Sequence, residues 1–438
     1  MAENDAISAT RNTVGVSGGN PIARFVQATE LDTRLLGMVG ALVLIWVGFH
    51  VLSGGLFITP RNLWNLSVQT ASIAVMATGM VLVIVTRNID LSVGSMLGFV
   101  GMIMGVTQVE ILPDILGLGH PLTWVITLAV GIALGVLIGG VQGTIIAYLR
   151  VPAFIVTLGG MLIWRGAAWW VTSGRTVAPL DRTFQLIGGG PSGAVGAFAS
   201  WAIAAVACVG IIVYLYYARR QRHRFNFPLR PVWAEITLAV LGCGLAIATV
   251  AVFNAYPWPV RIAERYAEAN NLPVPDGGLF ISHGIAIPVL IAVGIGIVMT
   301  FVSTRTRFGR YVFAMGGNPE AAELAGINTR WVTVKIFMIM GALVAISASI
   351  ATARLNASTN ALGQLDELYV IAAAVIGGTS LGGGVGTIVG AMLGALVMQS
   401  LQSGMVLMGL DSPLQAIVVG LVLVFAVWLD TLYRNRAQ

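Results

Sequence analysis

The sequence predicts an all-α membrane protein, a polytopic bundle of about ten to twelve transmembrane helices with one short helix in a cytoplasmic loop. Of its 438 residues 57% are hydrophobic and only 10% are charged. A soluble domain carries about 25% charged residues, so this chain has too few to solvate a globular surface. Its 54 glycines are typical of membrane helices, where small residues let backbones approach closely.

The apolar segments account for the crossings. A helix needs about 20 apolar residues to span a bilayer, and nine such segments lie at 36–53, 66–85, 91–109, 122–148, 153–172, 198–217, 233–253, 284–303 and 331–352. Two more are predicted between Glu367 and Asp411, which have no charged residue between them, and 413–429 is the last. Glycine and polar residues at 86–90 and 377–386 could instead make broken or re-entrant helices, which leaves ten or eleven crossings as alternatives.

The segments divide the chain into three regions. Residues 35–430 form the transmembrane domain, 1–34 a cytoplasmic tail expected to be disordered, and 431–438 a cytoplasmic C-terminal tail. The first thirty residues are polar and mixed in charge, unlike a signal peptide. With both termini in the cytoplasm, seventeen of the 24 Lys and Arg residues fall on the inner side, six in outer loops and Arg165 within a segment. This bias follows the positive-inside rule.

The predicted cytoplasmic loop 305–330 contains a hydrophilic helix with its own start and stop signals. These signals are Asn318, Pro319, Glu320, Glu323 and Gly326. Asparagine is a favoured N-cap, proline suits the first helical position, and acidic residues are favoured in the first turn. A loop that only connects two membrane helices does not need such signals. We therefore predict a helix of about two turns that docks on a cytoplasmic partner; the alternative is a surface helix without that role.

The two breaks in the apolar segments indicate a translocation pathway, because interrupted helices in corresponding halves are typical of transport sites. Asp90 lies at the first break, and a carboxylate near the bilayer centre costs about 2.5–3.5 kcal/mol on insertion scales. The alternative is that Asp90 only caps the helix beginning at Leu91. The candidate pathway residues are Arg87, Asn88, Asp90, Ser92, Gly378, Thr379 and Ser380.

Several kinds of chemistry are not expected. Cys208, Cys243 and the four scattered histidines have no metal-ligand spacing, so neither a metal nor a cofactor is predicted. The ATP-binding P-loop needs GxxxxGK[ST], but the only lysine is Lys335, between Val334 and Ile336. The chain is therefore not predicted to be an enzyme. The five arginines of 218–230 fit a lipid-side anchor, and no nucleic-acid partner is expected.

Three stretches carry a family resemblance. The spacing Glu320-Ala321-Ala322 and Gly326 resembles the "EAA…G" coupling loop of bacterial ABC importer permeases, although Phe337 and Met338 stand where a proline often follows. The segments 79–99, 150–166 and 372–396 are similar to signature segments of monosaccharide permeases, with Arg87-Asn88 as a departure. The likeness covers nearly the whole chain beyond residue 35.

The resemblance implies a permease subunit in a bacterial inner membrane, spanning the lipid bilayer many times. Its implied partners are a cytoplasmic ATP-binding subunit that hydrolyses ATP, a periplasmic sugar-binding protein, a second copy of the chain and a monosaccharide substrate. The segment 233–253 and the outer loop 254–280 are similar to the extra length of xylose-type permeases. Xylose is therefore the expected sugar, with galactose or another monosaccharide as the alternative.

A second function class stays open at this point. A secondary transporter driven by an ion gradient normally places coupling carboxylates near the midplane of the bilayer. Asp366, Glu367 and Asp411 fall at predicted segment ends, which leaves Asp90 as the candidate.

Overall fold

The computed structural model describes residues 28–30, 32–275 and 278–437, with backbone alone for 426 and 429–437. Its longer helices are α1 (Thr33–Leu52), α2 (Pro60–Val85), α3 (Val93–Leu116), α4 (Thr123–Tyr148), α5 (Ala153–Thr172), α6 (Gly196–Arg224), α7 (Val232–Asn254), α8 (Val260–Ala269), α9 (Ile287–Arg305), α10 (Arg307–Gly317), α11 (Pro319–Leu324), α12 (Thr329–Leu355), α13 (Asp366–Ile376), α14 (Ile388–Leu407) and α15 (Ser412–Ala437). Within the described ranges, ten helices are long and apolar enough to cross a membrane: α1–α7, α9, α12 and α14. The predicted all-α membrane fold is confirmed.

The structure differs from the predicted twelve full crossings after Glu367. Between Glu367 and Asp411, where two crossings are predicted, α14 is the one long helix, because α13 has 11 residues and is about 16 Å long, roughly half of the hydrocarbon core. The preceding residues 356–365 are not helical. Arg165 on α5 stabilises this segment by donating from Nη1 to the backbone oxygens of Asn360 and Leu362, both at 2.9 Å. Non-helical backbone inside a membrane bundle needs such partners.

The structure describes the ends of the chain in part. The helix α15 continues through residues 431–437, which belong to the predicted cytoplasmic C-terminal tail. Most of the predicted N-terminal tail, residues 1–27 and 31, lies outside the described residues, and α1 begins at Thr33.

The described residues divide into two compact units, one of 28–36 and 203–248 and the other of the remaining residues. In the smaller unit Arg219 on α6 pairs with Glu235 on α7 at 2.7 Å. Glu30 accepts hydrogen bonds from Arg222 and Arg230. The Arg222 hydrogen bond is the main cause that lowers the pKa of Glu30 to about 2.

The larger unit packs around α2 and α12. Glycines let its helices meet closely: an added side chain on Gly139 of α4 would strike the backbone oxygen of Phe337 on α12. Along α2, every residue from Ala74 to Val85 is buried. We call the end of this unit that holds Val85 and the 305–330 loop the loop end, and the end that holds Pro60 the pocket end. These names fix a direction along α2.

Candidate functional site

A capped helix is present in the 305–330 loop, where the sequence predicts one. The helix α11 comprises six residues, and the Asn318 Oδ1 accepts a hydrogen bond from the Ala321 backbone N–H at 3.0 Å. Gly326 follows with φ of +82°, a conformation that favours glycine after a helix. Ala322 is buried, whereas Pro319, Glu320 and Ala321 are exposed. The loop therefore presents one face of α11 to its surroundings.

The exposed face of α11 carries an apolar residue that the sequence analysis missed. The Leu324 side chain is 90% exposed, although leucine is among the residues most often buried. It lies in the last turn of α11, beside the exposed Glu323. A single apolar side chain with acidic neighbours suits a small protein interface, where a buried anchor has a polar rim. The signal in the sequence was a leucine in an otherwise polar, capped helix.

Arg87 connects the end of α2 to this loop. Its Nε donates to the Gly316 oxygen at 3.0 Å, and its Nη2 donates to the Gly317 oxygen at 2.8 Å. Both oxygens lie at the C-terminus of α10, where the helix dipole favours a cation. Arg87 has a left-handed backbone with φ of +63°, which turns the chain after α2. The residue directly after Gly317 is the Asn318 cap of α11.

The second break, at residues 377–386, contacts the same two elements, the end of α2 and the end of α10. The Gly384 N–H donates to the Val85 oxygen at 2.9 Å. A side chain on Gly316 would strike the Val85 oxygen, and its Cβ would lie 2.6 Å from the Gly384 nitrogen. We call the contact of 85–87, 316–317 and 383–384 the glycine junction. The sequence predicts both breaks but not that they meet the 305–330 loop.

Asp90 and Ser92 lie in a different, fully buried contact. The Asp90 Oδ1 accepts hydrogen bonds from the Ser92 N–H at 2.9 Å and from the Ser92 Oγ at 2.6 Å. The Ser92 hydroxyl also meets the Gln142 side chain on α4, with the Gln142 Nε2 donating at 3.1 Å. Asp90 thus holds Ser92, the N-cap residue of α3, but it does not cap the helix itself, because α3 begins at Val93 rather than at Leu91 and no side chain caps it. The Asp90 Oδ2 is buried without a hydrogen-bond partner among the described residues.

The remaining predicted residues form local turns. The Asn88 Nδ2 donates to the Thr86 oxygen at 3.2 Å. Gly378 follows α13 with φ of +86°, Thr379 is fully buried, and the Ser380 N–H donates to the Val385 oxygen at 2.9 Å. The structure therefore does not bring the predicted pathway residues together. Arg87 lies in the glycine junction, Asp90 and Ser92 lie in the contact with Gln142, and the others lie in local turns.

A polar pocket at the pocket end was missed by the sequence analysis. It has a volume of about 590 Å³, which is within the range of small-molecule sites. Its amide side chains are Asn62, Asn65, Gln69, Gln364, Gln399 and Gln402. In the sequence, the helical spacing of these amides was the signal for a polar helix face. It was missed because the predicted segment 66–85 begins after Asn62 and Asn65.

Metal binding finds no support in the described part of the chain. No group of three or more His, Cys, Asp and Glu side chains within it could hold a metal ion.

Comparison with known proteins decides the family. Residues 62–427 match the model of the family described as "Branched-chain amino acid transport system / permease component". The chain belongs to this permease family. The permease is 36% identical over 407 residues to the xylose transport system permease protein XylH of Haemophilus influenzae, covering 93% of this chain and 98% of that protein.

Two Escherichia coli proteins are also similar. The permease is 35% identical over 430 residues to the XylH protein, with 98% of each chain covered. It is 30% identical over 406 residues to the ribose import permease protein RbsC, covering 93% of this chain and 95% of that protein. No solved structure matches the permease.

Proposed function

We propose that this permease is the membrane subunit of an ATP-driven ABC importer that moves a monosaccharide, first of all xylose, into the cytoplasm. The observation that carries the proposal is the exposed, capped helix α11, whose preceding residues are bound by Arg87 at the end of α2. A partner that moves α11 would move the glycine junction with it. The permease supplies the path, and a separate ATP-binding subunit supplies ATP hydrolysis.

The assembly follows from this role. The loop end faces the cytoplasm, where α11 meets the ATP-binding subunit through Leu324 and its acidic neighbours. A periplasmic sugar-binding protein delivers the sugar at the pocket end, and a second copy of the permease completes the membrane part. Residues 35–430 make up the transmembrane domain of a bacterial inner-membrane protein with both termini in the cytoplasm.

Xylose is the first choice of sugar for two reasons. Permeases named for xylose transport are 35–36% identical to this chain, whereas the one named for ribose import is 30% identical. The chain also has the helix α7 and a long connection that contains α8, in the two regions that resemble the extra length of xylose-type permeases. Galactose is the alternative within the same function.

A secondary transporter driven by an ion gradient is the second candidate, and one observation favours it. Glu367 in the first turn of α13 is 6% exposed, and its Oε2 has no hydrogen-bond partner among the described residues. Intramembrane carboxylates of this kind mark ion pathways. Glu367 falls at a predicted segment end, and for that reason the sequence had left Asp90 as the candidate for this role. We prefer the importer because a transporter driven by an ion gradient would leave the exposed, capped helix α11 without a role.

The test is transport in proteoliposomes that contain the permease, an ATP-binding subunit and a periplasmic sugar-binding protein. We expect xylose uptake only with ATP, and the substitution Leu324→Asp should lower both uptake and ATPase stimulation at least about tenfold, as expected for about 1.4 kcal/mol of lost interface energy. Leu118→Asp is the matched control, because Leu118 is also 90% exposed but follows α3 at the pocket end. Uptake driven by an ion gradient without ATP would establish the second candidate instead.

A further inference from the structure

The pocket at the pocket end is lined by two polar helix faces and by residues from 351–366, which include the charged Arg354 and Asp366. On α2 the pocket is lined by Asn62, Asn65, Gln69 and Ser72, whose spacings of three and four residues place them on one face of the helix. This stripe is about 15 Å long, roughly half of the hydrocarbon core. On α14 the facing residues are Gln399, Gln402 and Ser403, also spaced by three and four.

Interhelical hydrogen bonds use only part of this polar surface. The Gln399 Nε2 donates to the Gln69 Oε1 at 3.0 Å and to the Gln402 Oε1 at 3.1 Å. The Ser403 Oγ donates to the Asn62 Oδ1 at 3.3 Å. The Gln399–Gln69 and Ser403–Asn62 bonds join α14 to α2, as polar side chains do in membrane bundles, whereas the Gln399–Gln402 bond lies within α14.

Several donors in the pocket are left over. Within the described residues, no hydrogen bond involves the Asn65 side chain, and none involves the amide nitrogens of Gln69 and Gln402. A polar group in a membrane bundle is costly unless it is paired or faces water. Helix packing does not require these extra amides, so their presence points to a polar occupant.

We propose that this pocket is a low-affinity binding site for a monosaccharide on its way through the permease. A primary amide both donates and accepts hydrogen bonds, which matches sugar hydroxyl groups. The described lining contains no aromatic side chain that could stack on a sugar ring. Binding is therefore weak, and a transport site must release what it binds. The proposal rests on the proposed sugar transport and adds the place where the sugar is held.

The first test removes the free donors of Gln69 and Gln402, together with the two oxygens that accept from Gln399, and measures transport. In the complete importer, the double substitution Gln69→Leu and Gln402→Leu should lower xylose uptake at least about tenfold, which corresponds to about 1.4 kcal/mol, the order of one hydrogen bond. Stimulation of the ATPase by the sugar-loaded binding protein should remain, because α11 and the glycine junction are unchanged. Normal uptake by the double variant would overturn the pocket proposal. Absence of xylose uptake by the unchanged importer would instead overturn the proposed function.

The second test does not depend on folding of a double variant. The two cysteines, which are free thiols, are replaced by serine, and Gln69→Cys is labelled with a thiol reagent in the purified permease. Xylose at tens of millimolar should slow labelling at least about twofold, which requires a Kd in that concentration range. Leu118→Cys is the control, because it is exposed outside the pocket, and its labelling should not change. Equal labelling of position 69 with and without xylose would contradict the site.

Discussion

The two halves of α2 differ in polarity and burial. From Pro60 to Ile73 the helix carries a polar stripe that lines an open pocket, whereas from Ala74 to Val85 every residue is buried. In the second half Gly79 is packed so closely that an added Cβ would lie 2.6 Å from the Met340 Sδ on α12. The first half of α2 thus lines a pocket that can hold a polar solute. The second half, Ala74 to Val85, is packed too closely to admit one, and we call it the sealed half.

Under the proposed function, this difference indicates where ATP-driven motion would act. The sealed half of α2 ends at the glycine junction, which Arg87 binds to the residues before α11. The open half of α2 has no such connection to the 305–330 loop among the described contacts. We therefore infer that movement of α11 opens the seal, while the pocket is already open before ATP is used.

Breaking the close packing of α4 against α12 should have the largest effect. An added Cβ on Gly139 would strike the Phe337 backbone oxygen, whereas one on the adjacent Gly140 would meet only the flexible Met338 side chain at 3.4 Å. Gly139→Ala should destabilise the permease by about 3 kcal/mol, because overpacking costs about 1–3 kcal/mol or more. Thermal stability in detergent, followed by size-exclusion chromatography, measures this effect.

Gly140→Ala is the matched control and should behave like the unchanged permease. Equal stability of the two variants would mean that α4 and α12 are not packed as tightly as the structure shows.

Weakening the glycine junction should have an intermediate effect. Arg87→Ala removes two hydrogen bonds from a charged donor, and because Arg87 is exposed to solvent we expect a loss of about 1.5 kcal/mol in total. Uptake in proteoliposomes should fall at least about tenfold, while the ATP-binding subunit still binds because the face of α11 is intact. Arg87→Lys keeps the charge and should restore part of the uptake. Loss of ATPase binding in Arg87→Ala would mean that Arg87 shapes the docking surface itself.

Neutralising Asp90 should have the smallest effect. Asp90→Asn keeps the Oδ1 acceptor that holds Ser92, so uptake at equal expression should change by less than about twofold, or about 0.4 kcal/mol. Asp90→Leu removes the acceptor of two buried hydrogen bonds from Ser92 and should lower stability, since each lost bond costs about 0.5–1.5 kcal/mol. Abolished uptake by a well-folded Asp90→Asn variant would show that the negative charge is needed, as in an ion-coupled transporter.

How far the sequence could predict these features depends on the range of the interactions. The helix α11 follows from local signals, because the Asn318 cap and the Gly326 stop lie within nine residues of each other. The pocket pairs Gln69 with Gln399, which are 330 positions apart, and apolar periodicity contains no information on such a pair. From the sequence, Arg165 is an isolated charge within an apolar segment. Only the folded chain shows that it binds the non-helical residues 356–365.

The comparison between the two halves of α2 is tested most directly by cysteine accessibility on one helix face. Gln69 and Met76 are two turns apart on that face, one in the pocket and the other fully buried. In a background without Cys208 and Cys243, Gln69→Cys should react with an impermeant thiol reagent from the periplasmic side without ATP. Met76→Cys should react only when the ATP-binding subunit hydrolyses ATP. Reaction of Met76→Cys without ATP, or protection of Gln69→Cys under the same condition, would contradict the account.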